Sequence, residues 1–578
     1  MRKLLALLLA VLMVLSLCTA CVKLVDPVDP VDPVDPVDPV DPVDPVDPVD
    51  PEDPVDPVAP VIPIDPDAPV DPVDPVDPVD PVDPVDPVDP VDPIEPIDPN
   101  APTEPQEPTE PVDPDTPINP VVPVDPQGPT EPVEPEEPVV EPETAMLNGT
   151  ELAQYVIVYG KDAPDYNKRA AEYLKDYIKS VTGQSLTVRS DSLGASAHEI
   201  VVGETRRDIS AQLDADTDGV QFAFLADEAH VAMEGDYFVI AAAAYYFANT
   251  YITGPRCNAV VPTTELICEP ITLPAKNYIF LIGDGMGVNQ TKLFDVFSAA
   301  DVTSYSDGEL EFYGYMLPAQ GLARTDSFSG TTDSAAAGTA LATGFKTNNG
   351  YVGQDSKHKD VPSLTEIAGG LGMATAVMST EVQTGATPAA FSAHANDRND
   401  TTTIINSQLD LVIDIGTIIN CQLDYYDASG VELLQEEIIA TLDELSEDED
   451  GFFIMYEEAY IDKHCHSNDF NKTFLALVRF NQAIGVFMEY AFYHPDTFVL
   501  ITADHETGNI KPYGNSYSYN SKDHSSQNVP VFAFGELAEL FDGQTIENIQ
   551  IPKTFAADWG VDIQGTLPKN YPALKAVN

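Results

Sequence analysis

Five short stretches of the chain carry side chains that could act on one reacting centre. Asp284 directly follows the apolar run Asn277–Gly283, inside the turn Gly283-Asp284-Gly285-Met286-Gly287. Ser334 follows Thr332-Asp333 and opens an Ala-rich run that reaches Ala340. Asp462 and His466 are four residues apart, so one helical turn sets both on one face as a chelating pair. Asp504 and His505 end the apolar run 498–502, and His524 stands just before Val529–Phe534. Carboxylates and imidazoles are ligands for divalent cations, and a serine at a helix start sits where backbone amides and the helix dipole favour an anion or an alkoxide. Each piece alone has a plainer reading. Asp284 could be a turn residue or cap, Asp333-Ser334 could simply cap a helix, and single histidines are usually surface or satisfied core groups. Together they collect ligand-type residues at strand ends in a chain with only nine histidines.

Such residues converge only if the elements before them run side by side. Asn277–Gly283, 452–457 and 498–502 are apolar runs of strand length, each leading into a polar residue of the set. Open α/β sheets place ligands at the carboxyl ends of such strands. A mostly parallel sheet flanked by helices is therefore the expected fold class.

The motifs Gly-Asp-Gly-Met-Gly at 283–287, Thr-Asp-Ser-Ala at 332–335, Ala386-Thr387-Pro388-Ala389-Ala390 with His394 and Arg398, Ile-Asp-Lys-x-x-His at 461–466 and Thr-Ala-Asp-His-Glu-Thr-Gly at 502–508 resemble those of the alkaline phosphatase family. The likeness runs from Asn277 to the end of the chain and implies an alkaline-phosphatase-like α/β domain over 275–578. It implies that Ser334 is the nucleophile that forms a phosphoserine. Asp462, His466 and His524 would hold the zinc that activates water and stabilises the leaving oxygen, and Asp284, Asp504 and His505 the zinc that lowers the serine pKa. Asp284 would also bridge to a magnesium ion held with Thr387 and Glu457. Arg398 would grip two phosphate oxygens, with Asp333 steadying it. Four carboxylates, Asp284, Asp504, Asp462 and Glu457, would face three divalent ions, which leaves a positive site for a phosphate monoester dianion. Three departures stand out. Gly385 occupies the place where members often carry Asp or His near the third ion. The intervals from Arg398 to Glu457 and from His505 to His524 are shorter than in larger members, so the insertions that help those dimerise are expected to be absent and the oligomeric state stays open. Cys465 lies between ligands, but its helical position turns it away from Asp462 and His466, as a packed thiol. Phosphodiesters or sulfate esters are the alternative substrates. Against them, Ser334 replaces the threonine common in diesterases, and no Cys/Ser-x-Pro-x-Arg motif is present. A surface adhesin with a degenerate head is a further alternative.

The rest of the chain is of another character. Residues 1–20 read as an export signal, with Arg2 and Lys3 before an apolar run, and Leu17-Cys18-Thr19-Ala20-Cys21 resembles a lipobox that would make Cys21 a lipidated first residue. This points to a lipoprotein on the outer face of a bacterial membrane, touching the bilayer only through that anchor. From Pro27 to Pro138 proline recurs at every third position, inside a Val-Asp-Pro segment at 22–144. Three residues is the polyproline II period, so this stalk is extended or disordered, and at roughly 3.1 Å per residue it could reach on the order of 350 Å. A small α/β module is expected at 145–274, with strands at 155–159, 186–188 and Glu199–Val202, and helices at 165–181 (buried face Ala170, Leu174, Tyr177, Ile178, Val181) and 236–251, stopped by Gly183 and Gly254. Its pattern resembles the non-catalytic domain that precedes the barrel in hexosaminidases and α-glucuronidases. Cys257 and Cys268 could bridge or remain free thiols. The formal charge of −69 leaves no basic stripe for nucleic acid or an anionic membrane face.

Overall fold

The computed structural model describes residues 144–213, 219–297, 311–423 and 428–563. The export signal, Cys21 and the Val-Asp-Pro stalk lie outside them. The described part of the 145–274 region contains β1 (Val156–Tyr159), α1 (Asp165–Thr182), β2 (Thr187–Ser190), β3 (Glu199–Val202), β4 (Phe222–Ala226), β5 (His230–Glu234), α2 (Val239–Tyr251) and β6 (Leu266–Cys268). These strands form one sheet in the order β2-β1-β3-β5-β4-β6, parallel as far as β5 and antiparallel beyond it. Helix α1 buries Ala170, Ala171, Leu174 and Ile178, while Tyr177 and Val181 lie at its half-buried margin. It ends on Gly183 in the left-handed conformation, as expected. Helix α2 ends at Tyr251 as expected but differs in where it starts and in the residue that closes it. It starts at Val239 because Tyr237 has φ +45°, which no right-handed helix accommodates, and it closes on Ile252 rather than Gly254. Cys257 and Cys268 are free thiols.

The second sheet positions the site. Its strands are β7 (Asn277–Gly283), β8 (Ala319–Arg324), β9 (Ala374–Ser379), β10 (Ile418–Cys421), β11 (Phe452–Glu458), β12 (Thr497–Thr502), β13 (Val529–Phe534) and β14 (Thr545–Glu547). Their order is β10-β9-β11-β7-β12-β13-β8-β14, and the five from β10 to β12 are parallel. Only β13 breaks the direction, pairing antiparallel with both β12 and β8. Strands β7, β11, β12 and β13 are buried along their whole length, and so their sequences are largely apolar without alternation, with polar residues mainly at the strand ends. Helices α3 (Ser334–Thr343), α4 (Ala386–Ser392), α5 (Tyr460–Cys465) and α6 (Phe470–Tyr493) flank this sheet.

Helix α6 is also the seam with the smaller sheet. Arg169 of α1 donates to both Glu489 carboxylate oxygens at 2.9 and 3.0 Å, Tyr173 stacks on Tyr493 with centroids 4.3 Å apart, and Phe238 lies against Phe492. Buried apolar side chains run without a break from one sheet to the other, and all described residues belong to one compact unit. Among the described residues no helix is long and apolar enough to cross a membrane.

Candidate metal and nucleophile site

Strand order brings the candidate residues together. Strand β7 has β11 and β12 as neighbours, so the turn after β7, the end of β11 and the turn after β12 open onto the same edge. Asp284 sits in the first of these, next to Gly285 at φ +76°. A side chain at 285 would crowd Asp462, whose Cα lies 2.8 Å from where its Cβ would be. Glycine is required there twice over, for the conformation and for the close approach. The Gly285 amide also donates to Asp504 Oδ1 at 3.1 Å, which ties two ligand-bearing turns together.

Asp284, Asp504 and His505 form one cluster, and Asp462, His505 and His524 a second, with one ligand atom of each residue within 4.8 Å of the others. His505 Nε2 is 3.2 Å from Asp504 and 3.6 Å from Asp284. His466 Nε2 is 3.3 Å from Asp462 and 3.2 Å from His524 Nε2. His524 reaches the site through a short ribbon in which it pairs with Thr507. The interval from His505 to His524 gave no hint of that pairing.

The hydrogen bonds on the far sides of these rings decide what the near sides can accept. His466 Nδ1 donates to the Lys522 carbonyl, and His524 Nδ1 donates to the Thr332 carbonyl at 2.9 Å. A carbonyl accepts only, so Nδ1 carries the proton in both rings and each neutral Nε2 presents a lone pair. Two lone pairs 3.2 Å apart beside a carboxylate repel unless a cation or proton lies between them. In the cation's place the Asp462 bond holds a proton on His466, raising its pKa to about 9. Burial works against Asp462, yet its bond from His466 and the nearby imidazoles hold it well below the usual carboxylate range.

The deeper cluster makes the same demand more strongly. Burial, then the charges of Asp504, Asp462 and Glu457, push Asp284 far up. Burial brings Asp504 to about 7 despite the amides of Gly285 and His505, and drives the His505 imidazole well below its ordinary value. Asp284 Oδ1, Asp504 Oδ2, Glu457 Oε1 and Thr387 Oγ1 are buried without a hydrogen-bond partner. Each orphaned oxygen costs about 1–3 kcal/mol, more when charged. Such oxygen ligands beside two nitrogen-containing clusters fit hard and borderline divalent cations. Neighbouring Glu458 shows the contrast. Its side chain leaves the strand on the opposite face and pairs with the Arg479 guanidinium at 3.1 Å, whereas the bond to Glu457 comes from the neutral Ser379 hydroxyl; each carboxylate keeps one oxygen without a partner.

Ser334 is the first residue of α3, and its Oγ lies 3.1 Å from His505 Nε2. The Asp333 cap does more than start the helix. One oxygen accepts from the Ala336 amide at 2.9 Å, and the other accepts from the Gly350 amide at 3.0 Å and from Arg398 Nη1 at 3.2 Å. Asp397 and Asp400 instead cap the turn and helix that follow, so neither holds the guanidinium. Cys465 is buried, and its thiol, pushed up to about 12 by burial, packs against Thr473 and Tyr519.

Four features of this site went unread in the sequence. Thr507 Oγ1 donates to Asp462 at 2.5 Å, and Ser379 donates to Glu457. Lys463, inside the Ile-Asp-Lys motif, donates to Glu381 at 2.7 Å. Glu381 itself fills the space beside Gly385. Only Lys463 had a visible signal, as a base next to a ligand.

The alkaline phosphatase family model matches residues 275–417 and 426–521. Alkaline phosphatase 4 of Bacillus subtilis is 28% identical over 284 residues, which is 40% of this chain and 62% of that protein. The alkaline phosphatase of Escherichia coli is 40% identical over 134 residues, covering 22% of this chain and 27% of that one. The chain thus spans about three fifths or less of the curated relatives it matches. Among solved structures, alkaline phosphatase from the Antarctic bacterium TAB5 superposes with a TM-score of 0.44 at 26% identity, over 50% of this chain and 98% of that one.

Proposed function

Starting from an alkaline phosphatase family domain in the C-terminal half, we propose that the protein hydrolyses phosphate monoesters through a phosphoserine on Ser334. The observation that carries this reading is the placement of the Ser334 hydroxyl 3.1 Å from His505 Nε2, between the ligand clusters and the Arg398 guanidinium that shares Asp333 with the cap of α3. Asp462, His466 and His524 would hold one zinc ion, Asp284, Asp504 and His505 a second, and Asp284, Thr387 and Glu457 a magnesium ion. When bound, these ions supply the positive charge that favours an alkoxide and offsets charge on the reacting oxygens. The chain's own residues do the rest. Ser334 Oγ forms a bond to phosphorus as the ester oxygen departs, and attack by water on the phosphoserine releases phosphate and restores the hydroxyl. The N-terminus of α3, where Ser334 sits, favours the developing negative charge. Arg398 pairs its planar fork with two non-bridging oxygens, and Asp333 fixes the direction from which it does so.

The same reading has the head exported and held to the membrane by a lipid on Cys21, with the Val-Asp-Pro segment as spacer. The site grips phosphate and reads little of the leaving group, so a range of monoesters would be substrates. Full-length protein supplied with zinc and magnesium, and given a monoester, a diester and a sulfate ester at alkaline pH, tests the reaction class. Turnover of the monoester at least tenfold above the other two is expected. Preference for either competitor would replace this reading.

A further inference from the structure

The family resemblance implies a side chain from position 385 near the third cation; this chain has glycine there, yet the space beside it is filled. A Cβ on Gly385 would collide with the Glu381 carboxylate. That side chain is only 16% exposed, and Lys463 Nζ donates to its Oε2 at 2.7 Å. Its backbone is pinned as well. The Glu381 amide donates to Ser379 Oγ at 3.0 Å, Ser379 in turn donates to Glu457, and the Glu381 carbonyl accepts from the Gln422 amide at 2.6 Å. Thr387 Oγ1 and Glu457 Oε1, both in residues with no exposed surface, have no partner.

From this arrangement, and resting on the phosphatase reading above, we propose that Glu381 is the carboxylate of the magnesium site that position 385 no longer provides. Magnesium keeps several waters and is usually held by one or two carboxylates directly, so a further carboxylate nearby acts by accepting hydrogen bonds from those waters. Lys463 holds Glu381 in place and balances its charge. Glu381 is thus a positioning residue that reached this place from four positions earlier in the loop, and its charge favours a hard cation over zinc at the third position.

The test is Mg2+ binding to the zinc-loaded full chain by equilibrium dialysis, with zinc content measured in parallel. Glu381→Gln keeps the shape and removes the charge, and it is expected to weaken Mg2+ binding about 10- to 100-fold with zinc unchanged. Glu381→Ala combined with Gly385→Asp returns a carboxylate from the other side of the same space, and is expected to recover at least half of the loss on a logarithmic scale. Unchanged Mg2+ affinity in Glu381→Gln, or loss of zinc along with magnesium, overturns the assignment of Glu381. A wild-type protein that takes up no Mg2+ overturns the magnesium site itself, and the proposal with it.

Discussion

The two clusters that share the site are built from the same residue types and differ in their access to water. Asp504 and His505 have no exposed side-chain surface, whereas the His466 side chain is 40% exposed and that of His524 16%. The inner cluster is anchored by backbone amides from two strand-end turns, and the outer one by a single turn of helix and a two-residue ribbon. In a dry pocket the charge state of each group is fixed by its neighbours, so the inner cluster is suited to holding an alkoxide on Ser334. The open rim suits an oxygen that must leave into water.

This contrast can be broken by substituting matched histidines. His505→Ala is expected to lower kcat/KM by about three powers of ten or more, roughly 4 kcal/mol, and to cost the protein its inner zinc. His466→Ala is expected to cost about 10- to 100-fold and to recover with excess zinc, because an exposed vacancy admits water as a substitute ligand. Metal content and steady-state rates at graded zinc measure both. Equal losses without rescue would show that burial does not separate the clusters.

Arg398 sharpens the same division, since the proposed function has it serve the phosphate and neither cluster. Arg398→Ala is expected to raise the inhibition constant for inorganic phosphate and slow turnover by about one to three powers of ten, on the order of 1–4 kcal/mol, with zinc retained. Arg398→Lys should recover part of this, because a point charge cannot reproduce a bidentate fork. Inhibition constants at one ionic strength check it.

A smaller effect is expected behind the site. His394 Nε2 meets Glu366 at 3.1 Å, and its Nδ1 donates to the Gly353 carbonyl at 2.6 Å. Burial lowers the His394 pKa, but the Glu366 bond and charge outweigh it and leave it raised, while Glu366 is lowered despite burial by the same pair. A raised imidazole contributes fully below its unfolded value near 6.5 and loses that contribution as pH rises through its folded value. A lowered carboxylate contributes above its unfolded value near 4.5 and loses it as pH falls further. The pair should therefore stabilise most between those limits, by about 1 kcal/mol or less given its partial exposure. Melting temperatures of wild type and His394→Gln should differ most in that window and converge at alkaline pH. The least effect is expected from deleting 25–138, which should leave turnover of a small soluble ester unchanged.

What could be read from the sequence follows the range of the forces involved. Strands β7, β11 and β12 were legible because a strand buried on both faces must be apolar throughout, and Ser334 because its cap is local. The helix at 236–251 was drawn too long because the sequence carries no mark of a positive φ at Tyr237. The carbonyls of Thr332 and Lys522, which fix the tautomers of His524 and His466, lie 192 and 56 residues from their partners. Backbone carbonyls carry no residue type, so nothing in the pattern could announce them. Glu381 was hidden for a related reason: the sequence shows that Gly385 lacks a side chain, and only packing shows which residue takes its place.

The central claim is that Ser334 becomes phosphorylated during turnover. Rapid mixing of zinc- and magnesium-loaded protein with a labelled phosphate monoester, acid quenching and peptide mapping tests it directly. Label on the peptide that contains Ser334, formed within the first turnover and absent from Ser334→Ala with zinc content unchanged, is the predicted result. Label on any other residue, or wild-type turnover with no phosphoprotein formed on that timescale, would contradict the account.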